Sequence, residues 1–242
     1  MKVQLDQALQ QLIKVATNHP QVVALVVLGS LSNPRRLDDY SDIDFFMMVE
    51  PKAKDAMIKD LTWLTPLMPT YTFQNTKDGY KVLLKSNVFM EFAIFTMDEL
   101  VHIPYHHPKV VYAKNSEIEK QIPLKETSIE SNPNANLQEA LTNLYIGLLR
   151  HHRGEVLAAY QMIQQYALNH VVQAVRNINP KIDVDPFNAL RRLELIDPLL
   201  ANWVMEVLNK PDQNQEAARK ILKKIKDHLE PNSLMQAIEN LL

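Results

Sequence analysis

The hydrophobic period of this chain changes for good near residue 132, and that change limits the folds open to it. Before it, short continuous or alternating apolar runs are interspersed with helical stretches; beyond it apolar residues recur every three or four positions throughout. Val22-Val23-Ala24-Leu25-Val26-Val27-Leu28 is rich in β-branched residues and closes on Gly29, as a buried strand does. Residues 43–49 read as a second strand and residues 88–95 as an apolar strand broken by one charge, Glu91. Residues 70–74 and 80–85 read as a hairpin around Asp78-Gly79, whose glycine is expected to supply a positive φ for a tight turn. Leu5, Leu9, Leu12, Ile13 and Ala16 lie on one face of a first helix that His19-Pro20 ends. Residues 52–64 predict another helix, with Ala53, Met57, Leu61 and Leu64 on one side.

After the polar, proline-bearing stretch at 132–136 the helical period persists. Leu137, Leu141, Leu144, Leu148 and Leu149, then Val156, Ala159, Ile163, Ala167, Val171 and Val175, predict a long helical hairpin turning near Arg153-Gly154. Shorter helices are expected at 186–193, 198–208, 213–229 and 233–242. The expected fold is α+β: an N-terminal mixed β-sheet domain with flanking helices over 1–132, then a C-terminal all-α helical domain over 133–242.

Composition narrows the function. The formal net charge is −2, so no general field attracts a polynucleotide or an anionic membrane. Cysteine is absent, which removes disulfides and thiolate-bound zinc. The first residues lack a signal-peptide core and no apolar run is long enough to span a membrane, so the expected setting is cytoplasmic. With only four glycines, neither a dinucleotide fingerprint nor a Walker A loop can be written. A triphosphate bound here would need cations held by carboxylates rather than a glycine-rich cradle.

Asp42-Ile43-Asp44 puts two carboxylates on one face of a strand while Ile43 and Phe45 enter the core. Like charges so placed repel, and a bound cation relieves this; Asp-x-Asp is also common at strand ends. Glu91, expected inside a buried strand, requires a partner. One candidate is a salt bridge to Lys81 or Lys85; the other is a metal, since a carboxylate on a strand beside Asp42 and Asp44 would complete the all-oxygen set that Mg²⁺ prefers. Gly29-Ser30 follows the first strand, with eleven residues before Asp42. The glycine admits close backbone approach to a ligand, and the serine offers a hydroxyl to phosphate oxygens.

Taken together, strand, Gly29-Ser30, Asp42-x-Asp44 on a second strand and Glu91 on a later one resemble the DNA polymerase β-like nucleotidyltransferase superfamily. The stretches Val27-Leu28-Gly29-Ser30 and Tyr40-Ser41-Asp42-Ile43-Asp44-Phe45-Phe46 resemble the lincosamide and aminoglycoside antibiotic nucleotidyltransferases, most closely those that modify lincosamides. The helical half, including residues 150–158, resembles their acceptor-side domain more loosely. The resemblance implies an enzyme that moves a nucleoside monophosphate, AMP from ATP, from Mg-NTP to a hydroxyl of a small molecule. It implies that Asp42 and Asp44 hold Mg²⁺, that Gly29 and Ser30 contact the nucleotide, and that Glu91 binds metal or acts as general base. The expected partners are an NTP and a small hydroxyl acceptor, with a homodimer left open. The acceptor is expected between the domains, beside the hairpin bearing Tyr145 and Tyr160.

Two other functions compete with this one. An antitoxin-type protein adenylyltransferase would be expected to be much shorter, and the helical half lacks an Arg followed four to six residues later by His, as a partner toxin would carry. An inactive nucleotide-binding homologue is disfavoured by the intact Asp42, Asp44 and Glu91. His102, His106 and His107 with Tyr105 offer a metal cluster or solvated loop histidines. Arg35 and Arg36 offer phosphate contacts or loop solvation. Lys220, Lys223, Lys224 and Lys226 read as a solvated helix face; Arg153 and Glu155 offer a structural pair, which is favoured, or an approach of Glu155 to an amine on the acceptor.

Overall fold

The computed structural model describes residues 2–33, 36–103, 105, 108–122, 132–176, 185 and 188–242. The chain divides into two compact units, Met1–Thr127 and Ser128–Leu242. The first carries a six-stranded mixed sheet and the second is helical, an α+β chain. Among the described residues, no helix is long and apolar enough to cross a membrane.

In the first unit, α1 (Lys2–Asn18) leads into β1 (Val22–Val27), the four-residue α2 (Gly29–Ser32) and β2 (Ile43–Val49). After α3 (Lys54–Lys59) come β3 (Pro69–Gln74), β4 (Gly79–Leu84) and β5 (Phe89–Phe95), then α4 (Met97–Leu100), β6 (Lys109–Ala113) and α5 (Ser116–Gln121). The sheet order is β3-β4-β5-β2-β1-β6, with β2 and β5 parallel and every other neighbour antiparallel. Alternation along the strands gives the sheet two faces. Ile43, Phe45, Val82, Leu84, Met90, Phe92 and Ile94 share a core with α1 and α3. Phe92 is its aromatic centre, stacked on Phe45 at 5.0 Å and edge-on to Trp63 at 5.3 Å. On the opposite face Val26 and Met48 are covered by Leu100, Tyr105 and Ile122, with Phe46 and Phe95 packed alongside.

Three local expectations change. The helix expected over 52–64 stops at Asp60, whose side chain accepts the Thr62 amide at 2.9 Å, and a 3₁₀ turn, Thr62–Leu67, follows. The hairpin turn occupies residues 75–78, and Gly79 is already in β4 without a positive φ. Glycine is needed there for cross-strand space, since a Cβ would meet the Phe92 carbonyl oxygen at 2.6 Å. β6 is an additional edge strand against β1, half-buried over Val110–Ala113.

In the second unit the polar stretch at 132–136 is a helix start. Asn132 caps α6 (Pro133–His152) by accepting the Ala135 amide at 3.0 Å, with Pro133 at the first helical position. Gly154, at φ 81°, reverses the chain into α7 (Val156–Tyr160), a π-helical stretch (Gln161–Ala167) and α8 (Leu168–Val175). The wider π turn carries buried Gln164, whose amide donates to Asn214 at 3.0 Å while its oxygen accepts the Asn209 amide at 2.7 Å. α9 (Leu193–Ile196), α10 (Pro198–Val207), α11 (Asn214–Lys226) and α12 (Ser233–Leu241) complete the unit. The helix expected over 186–193 is replaced by turns at 189–192; residues 186–187 lie outside the described residues. Leu141, Leu144, Leu148, Ile163, Val171 and Ile221 form the fully buried centre of this unit.

Candidate active site

The parallel register of β2 and β5 sets Asp44 directly beside Glu91. Paired positions point to the same side of a sheet, so both carboxylates project from the face opposite the Phe92 core. Asp42 lies two residues before Asp44, just ahead of β2 and half-buried. A short turn prepares its approach: the Asp38 carboxylate accepts the Tyr40 amide at 2.8 Å and the Ser41 hydroxyl at 3.1 Å.

Gly29 meets this pair from the other side. The Leu28 amide donates to the Asp44 carbonyl at 2.8 Å, locking the end of β1 to the start of β2. Gly29 has φ 61°, and a Cβ on it would stand 2.8 Å from Asp44 Oδ2, so only glycine suits both the backbone and the space. The next residue carries an anomaly: Ser30 Oγ is buried and has no hydrogen-bond partner. A buried hydroxyl left in this state costs about 1–3 kcal/mol, and such atoms in folded proteins call for a reason. A ligand oxygen at the β1 exit would satisfy it.

Glu91 differs from its expected setting. Its side chain is 43 % exposed, because β5 is interior to the sheet order while this part of the sheet face is not covered. It is held on two sides: Asn75 Nδ2 donates to Oε1 at 2.9 Å, and Lys81, its register partner on β4, stands 3.4 Å from Oε2. The salt bridge expected as one alternative from sequence therefore exists. At this exposure it is worth at most about 1 kcal/mol, little enough to rearrange around a substrate. Asn75 Oδ1 is a second buried oxygen without a partner.

Behind the hairpin turn, Lys54 bonds Asp78 at 2.8 Å and Glu99 at 2.5 Å, and its ammonium lies 5.4 Å from the Phe95 ring centre. Burial alone pulls the Lys54 ammonium down, but the hydrogen bonds and charges of Asp78 and Glu99 outweigh it and hold Lys54 above the ordinary lysine range. Burial likewise pushes Glu99 up, and Lys54 with the Thr96 amide brings it below the ordinary carboxylate range. Glu99 also closes a capping box with Thr96 at the start of α4. The network thus ties α3 and α4 to the turn that carries Asn75.

Among the described residues, no group of three or more His, Cys, Asp or Glu side chains is placed to hold a metal ion, so Asp42, Asp44 and Glu91 do not stand as the three-carboxylate set expected from sequence. The donor set nevertheless suits Mg²⁺, which is usually held by one or two carboxylates, with waters and substrate phosphates as the remaining ligands. The orphaned hydroxyl of Ser30, the residue after Gly29, and the paired Asp44 and Glu91 fit that mode.

The other candidate residues fall elsewhere. Tyr105 is buried against Phe46, ring centres 6.0 Å apart, and burial pushes its hydroxyl up; His102 is exposed, while His106 and His107 lie outside the described residues. Arg35 also lies outside them, and the Arg36 amide donates to the Asn33 carbonyl at 2.9 Å. Three residues of the lysine face make contacts: Lys220 donates to the Glu206 carbonyl at 2.7 Å, Lys224 lies over Trp203, and Lys226 pairs with Glu239; Lys223 is exposed, as expected. Tyr145 packs against the helical core. Sequence reasoning missed Asn75, for which the turn Asn75-Thr76-Lys77-Asp78 gives no signal.

The sequence matches no protein-family model and no curated protein. Solved structures similar to the chain include an aminoglycoside 6-adenyltransferase from Bacillus subtilis, with TM-score 0.39 and 9% identity over 100% of this chain and 91% of that one. Another is a nucleotidyltransferase-like protein from Exiguobacterium sibiricum 255-15, with TM-score 0.39 and 11% identity over 91% of this chain and 74% of that one. These likenesses are loose, and the chemistry of the site stands on its own residues.

Proposed function

We propose that this chain is a Mg²⁺-dependent nucleotidyltransferase that moves a nucleoside monophosphate, AMP from ATP, onto a hydroxyl of a small molecule and releases pyrophosphate. The observation that carries this reading is the adjacency of Asp44 and Glu91 across β2 and β5, with Gly29 packed on Asp44 and an unsatisfied hydroxyl on the next residue, Ser30.

Asp42 and Asp44, with Glu91 adjoining, would hold the metal. Bound there, Mg²⁺ supplies charge neutralisation to the triphosphate and acidifies an attacking hydroxyl. Ser30 Oγ donates its hydrogen bond to a phosphate oxygen at the β1 exit. Glu91, held by Asn75 and Lys81, accepts the proton of the acceptor hydroxyl. The acceptor oxygen forms a bond to the α-phosphorus, the bond from that phosphorus to its bridging oxygen breaks, and pyrophosphate leaves with the electron pair.

The test is pyrophosphate release from each of the four NTPs by the full chain, with Mg²⁺ or with EDTA, across a panel of hydroxylated small molecules. Acceptor-dependent, Mg²⁺-dependent release that Asp44→Asn abolishes supports the reading. Release only with a protein acceptor, or none with any acceptor, contradicts it.

A further inference from the structure

β5 lies between β2 and β4, so Glu91 has a register partner on each side: Asp44 on β2 and Lys81 on β4. Register partners point to the same face of a sheet, and all three side chains share the face opposite the Phe92 core. Within this row the β4 side holds the Glu91 carboxylate. Lys81 Nζ stands 3.4 Å from Oε2, and Asn75, in the turn that leads into β4, donates to Oε1 at 2.9 Å. Both oxygens are thus engaged by groups across the strand from Asp44. This accounts for a feature that register alone would not give: Asp44 and Glu91 are neighbours, yet no three-carboxylate group forms among the described residues.

The two holds differ in kind. Asn75 is fixed in direction, because turning its amide over would set Oδ1 against a carboxylate oxygen; kept as it is, Oδ1 is buried without a donor. The Lys54 to Asp78 ion pair anchors the same turn to α3. Lys81 is the looser partner, since the side chains of its ion pair are 40 % and 43 % exposed. An ion pair so open to water shifts an equilibrium by no more than about fivefold. Asp44 is one strand spacing away, about 4.8 Å, so Glu91 can turn toward it by changing its own rotamer with both backbones in place.

We infer that Lys81 is a positioning residue that competes with the divalent cation for Glu91: it keeps this carboxylate on the β4 side until a cation held by Asp42 and Asp44 draws it across. This rests on the transferase reading above for the cation itself. Lys81 then sets the metal affinity of the site without touching the metal, and the third carboxylate joins only on leaving its ion pair.

The experiment titrates Mn²⁺, without nucleotide, into the full chain and reads the free ion by electron paramagnetic resonance. Asp42→Asn/Asp44→Asn defines the binding that belongs to this site. Lys81→Met is expected to bind Mn²⁺ at least about twofold more tightly than the wild type, whereas Lys81→Arg, which keeps the charge and the reach, is expected to bind no more tightly. Removing a positive charge favours any nearby cation, so the deciding comparison repeats Lys81→Met in a Glu91→Gln background. The gain in the wild-type background is expected to exceed the gain there by about twofold to fivefold, because only the first releases a carboxylate. Equal gains in the two backgrounds, no gain at all, or tighter binding by Lys81→Arg would overturn the assignment and leave the transferase reading standing. Mn²⁺ binding that is the same in the wild type and in Asp42→Asn/Asp44→Asn would remove the metal site, and this inference with it.

Discussion

Replacing Gly29 with alanine separates the two reasons for a glycine at the β1 exit. The first is conformational: φ is 61°, and an L-residue held in the left-handed region costs about 1–2 kcal/mol. The second is local: the new Cβ would stand 2.8 Å from Asp44 Oδ2. The carboxylate must then retreat by roughly 0.6 Å or more to regain an ordinary contact distance. Displacing a reacting group by about 1 Å can lower a rate on the order of 100-fold, so Gly29→Ala should lower kcat/KM on the order of 10- to 100-fold. Gly154→Ala is the control, because Gly154 also has a positive φ, 81°, with nothing within 4 Å of where the new methyl would stand. Both variants should lose about 1–2 kcal/mol in urea unfolding, and only Gly29→Ala should lose activity. Pyrophosphate release and unfolding are measured on the same preparations. If Gly29→Ala keeps kcat/KM within about twofold of Gly154→Ala, Asp44 is not where the chemistry occurs.

Ser30→Ala removes a hydroxyl that has no partner, so unfolding stability should not fall, whereas KM for the NTP should rise on the order of 10-fold or more through loss of a charge-assisted hydrogen bond; an unchanged KM, measured by initial rates, would remove Ser30 from the nucleotide site. Glu91→Gln should keep Mg-ATP affinity within a few-fold and lose most of kcat, because the amide can still take up hydrogen bonds from Asn75 but cannot accept a proton; a calorimetric titration showing equal loss of binding would place Glu91 with the nucleotide metal instead. Lys54→Met should destabilise the chain by about 1.5–3 kcal/mol, since it strands Asp78 and Glu99. The Glu99 pKa is lowered by folding, so its share of the stability is fully present above the ordinary Glu value of about 4.3 and is lost as pH falls through the lower folded value. The Lys54 pKa is raised, so its share is fully present below about 10.4 and is lost as pH rises past the higher folded value. The wild-type-minus-variant difference in urea unfolding should therefore be flat from about pH 5 to pH 9 and shrink in acid; a difference that grows below about pH 4 would contradict the network.

What could be read from the sequence follows from how local each signal is. β1 and β2 have the boundaries their apolar runs indicate, and α1, α10, α11 and α12 follow the 3.6-residue period, because one buried face imposes each pattern. β6 escaped because an edge strand half-buried over four residues leaves too little alternation to detect. The hairpin turn was shifted because Asp-Gly signals a positive φ, while Gly79 answers a cross-strand contact with Phe92 that no local pattern encodes. At the site, the spacing of Asp42 and Asp44 gave their shared face. The pairing of Asp44 with Glu91 did not follow from spacing, because register between distant strands is a tertiary property. The burial expected for Glu91 failed for the same reason: an apolar run cannot say which of its two faces is covered. The Lys81 partner was readable from the hairpin, whereas Asn75 depended on where the turn fell.

The central claim is that Asp42 and Asp44, at the start of β2, recruit Mg-NTP, and isothermal titration of ATP into the full chain, with Mg²⁺ and with EDTA, tests it most directly. The wild type should bind ATP at least 10-fold more tightly with Mg²⁺, and Asp42→Asn/Asp44→Asn should lose that metal dependence. ATP binding that ignores Mg²⁺ in the wild type, or metal-dependent binding that survives in the double variant, would contradict it.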